Sequence, residues 1–182
     1  MNKTIILDTN VYGELLVEKK SEELIEKINQ DKSICIYGID IIEKELKDTP
    51  EEIKYQNKIL KDAVLSIYKT LVNKELRLFP VAQYLATEYY KRFDELRNSS
   101  RYSKTIAPKI KKYKEEDLKV DFQIIAVASI KNIDIVVSTD KRTILSEIAE
   151  DTYKKVNNEN NLRTPILVKY SDFRKRYSKW KF

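Results

Sequence analysis

The most informative stretch of the 182-residue sequence is Thr4-Ile5-Ile6-Leu7-Asp8-Thr9-Asn10, near its start. Its first four residues are apolar or β-branched, which is typical of a strand buried on both faces of a parallel sheet. Similar runs recur at Ser33–Tyr37, Asp134–Ser138 and Pro165–Val168, and Leu78–Phe79 is expected to add a short fifth strand. Because longer stretches with helical periodicity separate these runs, the sequence predicts a single-domain, three-layer α/β/α fold with a five-stranded parallel sheet.

The stretches between the strands have apolar residues at helical spacing. The sequence predicts helices over Tyr12–Asn29, Ile39–Lys47, Val81–Leu96, Asp117–Ile130 and Lys141–Asp151. A further helix is expected to open at Thr49-Pro50-Glu51-Glu52, which has the form of a capping box with proline at the first helical position. We expect the main domain to cover residues 1–170, with a basic insertion at 98–116 and a basic, aromatic tail at 171–182.

The composition excludes several classes of enzyme. The chain has no histidine, so it cannot carry a Ser-His-Asp triad or a histidine-ligated zinc. Two glycines are too few for the dinucleotide fingerprint, and neither stands in a P-loop. Cys35 is the single cysteine and lies in an apolar run, which favours a buried strand residue in a reducing compartment. With no long apolar segment, the sequence predicts a soluble, cytoplasmic protein without a membrane partner.

Positive charge is concentrated in two stretches of the chain. Arg101–Lys114 has six basic residues and no acid, and Lys169–Phe182 has six basic residues and one acid. Since the whole chain has a net charge of +6, the remaining residues carry a net charge of −5. Both stretches also contain aromatic residues, a combination that suits an anionic partner such as single-stranded RNA. A solvated basic surface is the alternative interpretation.

Acidic residues stand where a parallel sheet usually carries its functional site. Asp8 and Asp140 follow two predicted strands, although each could simply cap the next turn. Asp121 shares a helical stripe with Ile124, Ile125 and Ala128, so its carboxylate is expected to face the buried side. In the short helix after the second strand, Glu45 is a better inward-facing candidate than Glu43.

These four acids, Asp8, Glu45, Asp121 and Asp140, are expected to converge on one crevice. Four neighbouring carboxylates cannot all be ionised without a cation. Oxygen ligands without histidine or cysteine suit Mg²⁺ or Mn²⁺. A divalent ion of this kind activates water for hydrolysis of a phosphodiester. The sequence therefore predicts a histidine-free, metal-dependent nuclease.

Four motifs together resemble the PIN-domain ribonucleases. They are Ile5–Asn10, Glu45-Leu46, Asp121–Ala128 and Val136–Asp140, and the resemblance extends from Asn2 to about Val168. It implies a Mg²⁺- or Mn²⁺-dependent endoribonuclease with Asp8, Glu45, Asp121 and Asp140 as its catalytic and metal-binding acids. Family members include VapC-type toxins, which are silenced by an antitoxin protein, and many of them form dimers. The extended basic region distinguishes this chain from the compact toxins.

The motifs also suggest residues around these acids. Asn10 and Thr139 are expected to orient a carboxylate or a metal-bound water. Lys141 could stabilise charge on the substrate or form a salt bridge with Asp140. The substrate-binding candidates in the basic stretch are Arg101, Lys109, Lys111 and Lys112.

Two other functions compete with the nuclease. A degenerate PIN fold could act without catalysis, as a module that binds RNA or a partner protein through the basic stretches. A haloacid-dehalogenase-type phosphatase also places an aspartate after its first strand, but that family needs a second aspartate where this chain has Asn10. An amide cannot act as a general acid, which argues against the phosphatase.

Overall fold

The structure is a computed structural model that describes residues 2–99, 102 and 113–178. The chain divides into two compact units built from separate stretches of sequence. Unit 1 comprises Met1–Arg77, Asp134–Thr139 and Val168–Phe182, and unit 2 comprises Leu78–Ile133 and Asp140–Leu167.

The described strands form one large and one small sheet. In chain order they are β1 (Lys3–Leu7), β2 (Ile34–Ile39), β3 (Lys54–Tyr55), β4 (Lys58–Ile59), β5 (Lys74–Leu76), β6 (Ile135–Ser138) and β7 (Ile166–Lys169). The large sheet has the order β5-β2-β1-β6-β7, and β1 pairs in parallel with both β2 and β6. This arrangement confirms the predicted α/β class with a five-stranded parallel sheet, consistent with three α/β/α layers.

Eight helices lie within the described residues. They are α1 (Thr9–Val17), α2 (Ser21–Gln30), α3 (Asp40–Lys47), α4 (Leu60–Leu71), α5 (Pro80–Arg97), α6 (Glu115–Ile130), α7 (Glu147–Glu159) and α8 (Tyr170–Ser178). The predicted helices at Ile39–Lys47, Val81–Leu96 and Asp117–Ile130 are confirmed to within two residues at each end.

The predicted helix over Tyr12–Asn29 is wrong as a single element. The backbone becomes extended at Glu18 (φ −62°, ψ 141°), and the amide of Ser21 donates to the carbonyl of Glu18 at 3.2 Å. Residues 18–21 contain no apolar side chain that could bury a continuous helix face. The chain therefore turns there and forms α1 and α2.

The helix predicted to open at Thr49-Pro50 begins only at Leu60. Pro50 forms a turn instead, in which its carbonyl accepts from the amide of Ile53 at 3.3 Å. The antiparallel strands β3 and β4 follow, joined by Gln56 and Asn57 with φ of 47° and 65°. Two successive residues with positive φ form a tight hairpin turn, which interrupts any helix.

The fifth strand and the last predicted helix are also placed differently. The strand predicted at Leu78–Phe79 is wrong, because the edge strand is β5, whose start is fixed by Asn73. The Asn73 amide donates to the Ile36 carbonyl, and its side-chain oxygen accepts from the Ile36 amide, both at 2.8 Å.

The helix predicted at Lys141–Asp151 instead begins at Glu147 and is capped by Ser146, because residues 141–145 form turns.

Residues 171–178 of the predicted tail belong to helix α8 of unit 1. Phe173 and Tyr177 are buried, and the Tyr177 hydroxyl donates to Asp31 at 3.0 Å. Arg174 forms an ion pair with Glu18 at 2.7 Å. These contacts fix α8 through both apolar and charged side chains.

Unit 2 has an aromatic core joined to a polar network. The rings of Tyr89, Phe93, Phe122 and Tyr153 meet edge to face, with centroids 5.1–6.2 Å apart. The Tyr89 hydroxyl donates to the Asn157 side-chain oxygen at 2.5 Å, and the Asn157 amide donates to Ser129 at 3.0 Å. These contacts hold α5, α6 and α7 together. Among the described residues, no helix is both long and apolar enough to cross a bilayer.

Candidate active site

Asp8 is a buried carboxylate with both oxygens fixed. It follows β1, caps the N-terminus of α1 and is 2% exposed. One oxygen, Oδ1, accepts from the amide of Thr9 at 2.8 Å, and Oδ2 accepts from the hydroxyl of Ser138 at 2.7 Å. Since Ser138 ends β6, this pair of bonds joins the carboxyl ends of two adjacent strands.

Thr9 links Asp8 to Glu45. While its amide donates to Asp8, its hydroxyl donates to Glu45 Oε2 at 2.5 Å. Glu45 lies on α3, so the helix that begins directly after β2 contributes to the same group. Glu43 instead forms an ion pair with Lys47 at 2.8 Å. The structure thus connects Glu45, and not Glu43, with Asp8 through Thr9.

Two buried tyrosines lie within the same unit. The rings of Tyr12 and Tyr68 are 5.3 Å apart, and the Tyr68 hydroxyl donates to Glu75 at 3.0 Å. Burial raises the pKa of Tyr12 well above its usual value, and the charges of Glu75 and Asp8 add to the increase. Burial likewise raises the pKa of Tyr68, and its hydrogen bond to Glu75 adds to the increase, so both hydroxyls stay neutral.

Gly38 is required beside this tyrosine pair. A Cβ at this position would meet the Tyr68 hydroxyl at 2.2 Å and Glu75 Oε2 at 2.8 Å. Tyr68 is 1% exposed and cannot move aside easily. The backbone of β2 therefore approaches Tyr68 closely only because residue 38 has no side chain.

Asp121 and Asp140 both belong to unit 2. Asp121 is half-buried on α6, and the next eight residues of that helix are buried. Asp140 Oδ1 accepts from the amides of Arg142 at 2.6 Å and Thr143 at 3.1 Å, which shapes the turn after it. Within the described part of the chain, no three acidic or cysteine side chains form a group that could hold a metal ion.

The remaining candidate residues have different positions. Asn10 is exposed in the first turn of α1, Thr139 is half-buried after β6, and Lys141 is exposed. The four candidates of the basic stretch, Arg101, Lys109, Lys111 and Lys112, lie outside the described residues.

Sequence reasoning missed the roles of Thr9 and Ser138. Thr9 directly follows the candidate acid Asp8, and Ser138 ends the strand that leads to Asp140, so both hydroxyl residues stand near a candidate acid in the sequence. The pattern does not reveal which carboxylate each hydroxyl contacts, because that depends on how β1 pairs with β6 and with β2. The comparisons add no family: the chain matches no protein-family model and no curated protein.

Proposed function

We propose that this protein is a Mg²⁺- or Mn²⁺-dependent endoribonuclease. The observation that carries the proposal is the chain of hydrogen bonds from Ser138 through Asp8 and Thr9 to Glu45. It brings two of the four acids expected from the PIN resemblance into one hydrogen-bonded group. The other two acids of the proposed set, Asp121 and Asp140, rest on the sequence motifs.

The position of this group supports a catalytic role. In parallel α/β sheets, functional groups collect beyond the carboxyl ends of the strands. Asp8 and Ser138 stand at the ends of β1 and β6, and Glu45 lies on α3, the helix that follows β2 directly. Burying a carboxylate is costly, so an aspartate that is 2% exposed needs a compensating role.

The donor set fits a hard divalent cation. Asp8 and Glu45 offer only oxygen ligands, and the four proposed acids include no nitrogen or sulfur donor. When bound, such an ion lowers the pKa of a coordinated water and stabilises charge on the phosphate. Ser138 and Thr9 hold the Asp8 carboxylate in one orientation, and Thr9 does the same for Glu45. These two hydroxyl residues therefore act as positioning residues.

Cleavage of a long single-stranded RNA tests the proposal. The wild type is assayed with Mg²⁺, with Mn²⁺ and with EDTA, alongside Asp8→Asn and Asp121→Asn. We expect metal-dependent cleavage that is lost in both variants. Asp48→Asn is a matched control, because Asp48 is exposed and lies at the C-terminus of α3. Cleavage that survives in EDTA or in both site variants would contradict the proposal.

One observation favours a second candidate, a non-catalytic module that binds RNA or a partner protein. Among the described residues, no group of three carboxylates forms a metal site. Thermal unfolding separates the two functions, since a bound ion stabilises the folded protein. The nuclease is expected to unfold at a higher temperature in Mn²⁺, and Asp8→Asn should lose this increase. The binding module would show no such effect in either protein.

The biological setting is part of the same proposal. The substrate is single-stranded RNA in the cytoplasm, where Cys35, a free cysteine, stays reduced. We include an antitoxin protein and a second copy of the chain as partners to be tested. Co-expression with the product of a neighbouring gene, followed by measurement of the mass of the complex, tests both.

A further inference from the structure

A pocket of about 290 Å³ lies between α5 and α6 of unit 2. Its volume is close to the lower limit of about 300 Å³ for small-molecule sites. Gln83, Thr87 and Tyr90 of α5 face Lys119, Phe122 and Gln123 of α6 across this space. It involves none of the four acids of the proposed nuclease.

Gln123 is the unusual residue of this pocket. The residue is only 6% exposed, and its side-chain amide forms no hydrogen bond with any described residue. The amide is not sealed within the core, so it stays accessible from the pocket that Gln123 lines. Helix α6 could have placed an apolar residue here, as it does at Ile124 and Ile125. A ligand in the pocket would therefore find the Gln123 amide available for hydrogen bonding.

The surroundings of Gln123 suit a nucleotide. Phe122 is 1% exposed and held by the aromatic core, so it gives the pocket a rigid apolar wall. Tyr90 is half-buried and offers a ring on which a base can stack. Lys119 stands one helical turn before Gln123 and is exposed, so its ammonium can reach a phosphate at the mouth of the pocket. Glu115 also lines the pocket, and Lys119 stands between it and Gln123 along the helix.

We propose that this pocket binds an adenine nucleotide. A glutamine amide presents one donor and one acceptor side by side, which complements the N6 amino group and N7 of adenine. Guanine presents two acceptors at the corresponding edge and would need two donors. The ligand is either a free nucleotide or an adenosine of a single-stranded RNA. The inference does not depend on the ribonuclease activity.

Calorimetric titration of the full chain in EDTA tests the inference without cleavage. The probes are the four ribonucleoside 5′-monophosphates and short oligoadenylate and oligouridylate RNAs. We expect adenosine monophosphate to bind more tightly than the other three. If the natural ligand is RNA, only oligoadenylate will show this preference, and the monophosphates will bind weakly.

Three variants assign the binding to the pocket. Gln123→Met keeps the side-chain volume but removes the amide, so adenine affinity should fall about tenfold. Tyr90→Leu should reduce it about fivefold or more. Tyr84→Leu is the matched control, because Tyr84 lies on the same helix and is 65% exposed. Asp8→Asn should bind adenine normally even if it cleaves nothing, which separates this inference from the proposed function.

Several results would overturn the inference. They are no binding of any probe, equal affinity for all four bases, or adenine binding that survives in both Gln123→Met and Tyr90→Leu. Each variant is compared with the wild type by thermal unfolding. Should Gln123→Met fail to fold, the half-buried Tyr90 still provides the test.

Discussion

Asp8 and Asp140 occupy similar places in the sequence and differ in what they bind. Asp8 directly follows β1, and Asp140 stands two residues after the end of β6. The carboxylate of Asp8 joins two strand ends, because it accepts from Thr9 and from Ser138, 130 residues away in the chain. The backbone donors to Asp140 are the amides of Arg142 and Thr143, which belong to its own turn.

This difference teaches how a strand-end aspartate should be interpreted. When an aspartate accepts hydrogen bonds from amides of its own turn, the local structure already explains why Asp stands there, because such turns favour Asp and Asn. An aspartate whose second oxygen accepts from another strand is fixed more precisely than capping requires. Asp8 therefore carries structural support for a site, whereas Asp140 rests on the sequence motif.

The largest expected effect tests whether Asp140 has a function beyond its turn. Asn keeps a side-chain oxygen that can accept from Arg142 and Thr143, so Asp140→Asn should retain the turn and fold. Under the proposed function it should lose RNA cleavage by at least about 100-fold, because removing a metal ligand costs at least as much as removing its support. Cleavage rates and unfolding temperatures are measured together. A variant that cleaves like the wild type would leave Asp140 as a turn residue alone.

A smaller loss is expected when Asp8 and Glu45 are uncoupled. Thr9→Val keeps the amide bond to Asp8 but removes the hydroxyl that donates to Glu45. We expect a fall of about 10–100-fold in cleavage rate and a similar fall in Mn²⁺ affinity, as is usual for residues that orient ligands. Thr9→Ser retains the hydroxyl and is the control. Equal activity of the two variants would show that the Thr9–Glu45 bond has no function.

Removing the hydrogen bond from Ser138 to Asp8 should lower the stability of the folded protein. Ser138 is fully buried and donates to a buried carboxylate, so Ser138→Ala should lower the free energy of unfolding by about 1.5–3 kcal/mol. Thr70→Ala is a suitable control, because Thr70 is exposed on α4 and its hydroxyl bonds only within the helix. Denaturant unfolding of both variants provides the measurement. A change at Ser138 no larger than at Thr70 would remove the distinction between Asp8 and Asp140.

Much of the sheet could be predicted from the sequence, because apolar runs such as Thr4–Leu7 bury both faces of a central strand. The edge strand β5 could not, since Lys74 and Glu75 are exposed and resemble a loop. Its place depends on the bonds of Asn73 to Ile36. The capping-box pattern also predicted a helix that opens at Pro50. The chain instead forms a hairpin whose turn lies at Gln56 and Asn57, and the helix begins only after it.

The acids Asp8 and Glu45 of the candidate site could be predicted from the sequence, but the hydrogen bonds that join them could not. The positions of Asp8 and Glu45 follow from strand ends and helix periodicity. That Ser138 holds Asp8 depends on the parallel register in which Leu7 stands beside Val137, and that Thr9 reaches Glu45 depends on the pairing of β1 with β2. Register between strands more than 100 residues apart in the chain is a tertiary property, so no local pattern reveals it. The unpaired amide of Gln123 is likewise visible only once α5 and α6 are packed.

The smallest effect concerns Asp31, which combines both kinds of bond. Burial opposes its ionisation, but hydrogen bonds from Ser33 in its own turn and from Tyr177 of α8, with the charge of Arg176, lower the pKa of Asp31 below its usual value. A lowered folded-state pKa contributes stability above the unfolded-state pKa near 4, and this contribution is lost as the pH falls below that value.

Tyr177→Phe removes only the distant hydroxyl, so it should lower the free energy of unfolding by about 1 kcal/mol at pH 7. This difference from the wild type should shrink below about pH 4. Unfolding free energies measured from pH 7 to pH 3 provide the test, and a difference that is constant with pH would show that Ser33, within the turn, accounts for the lowered pKa.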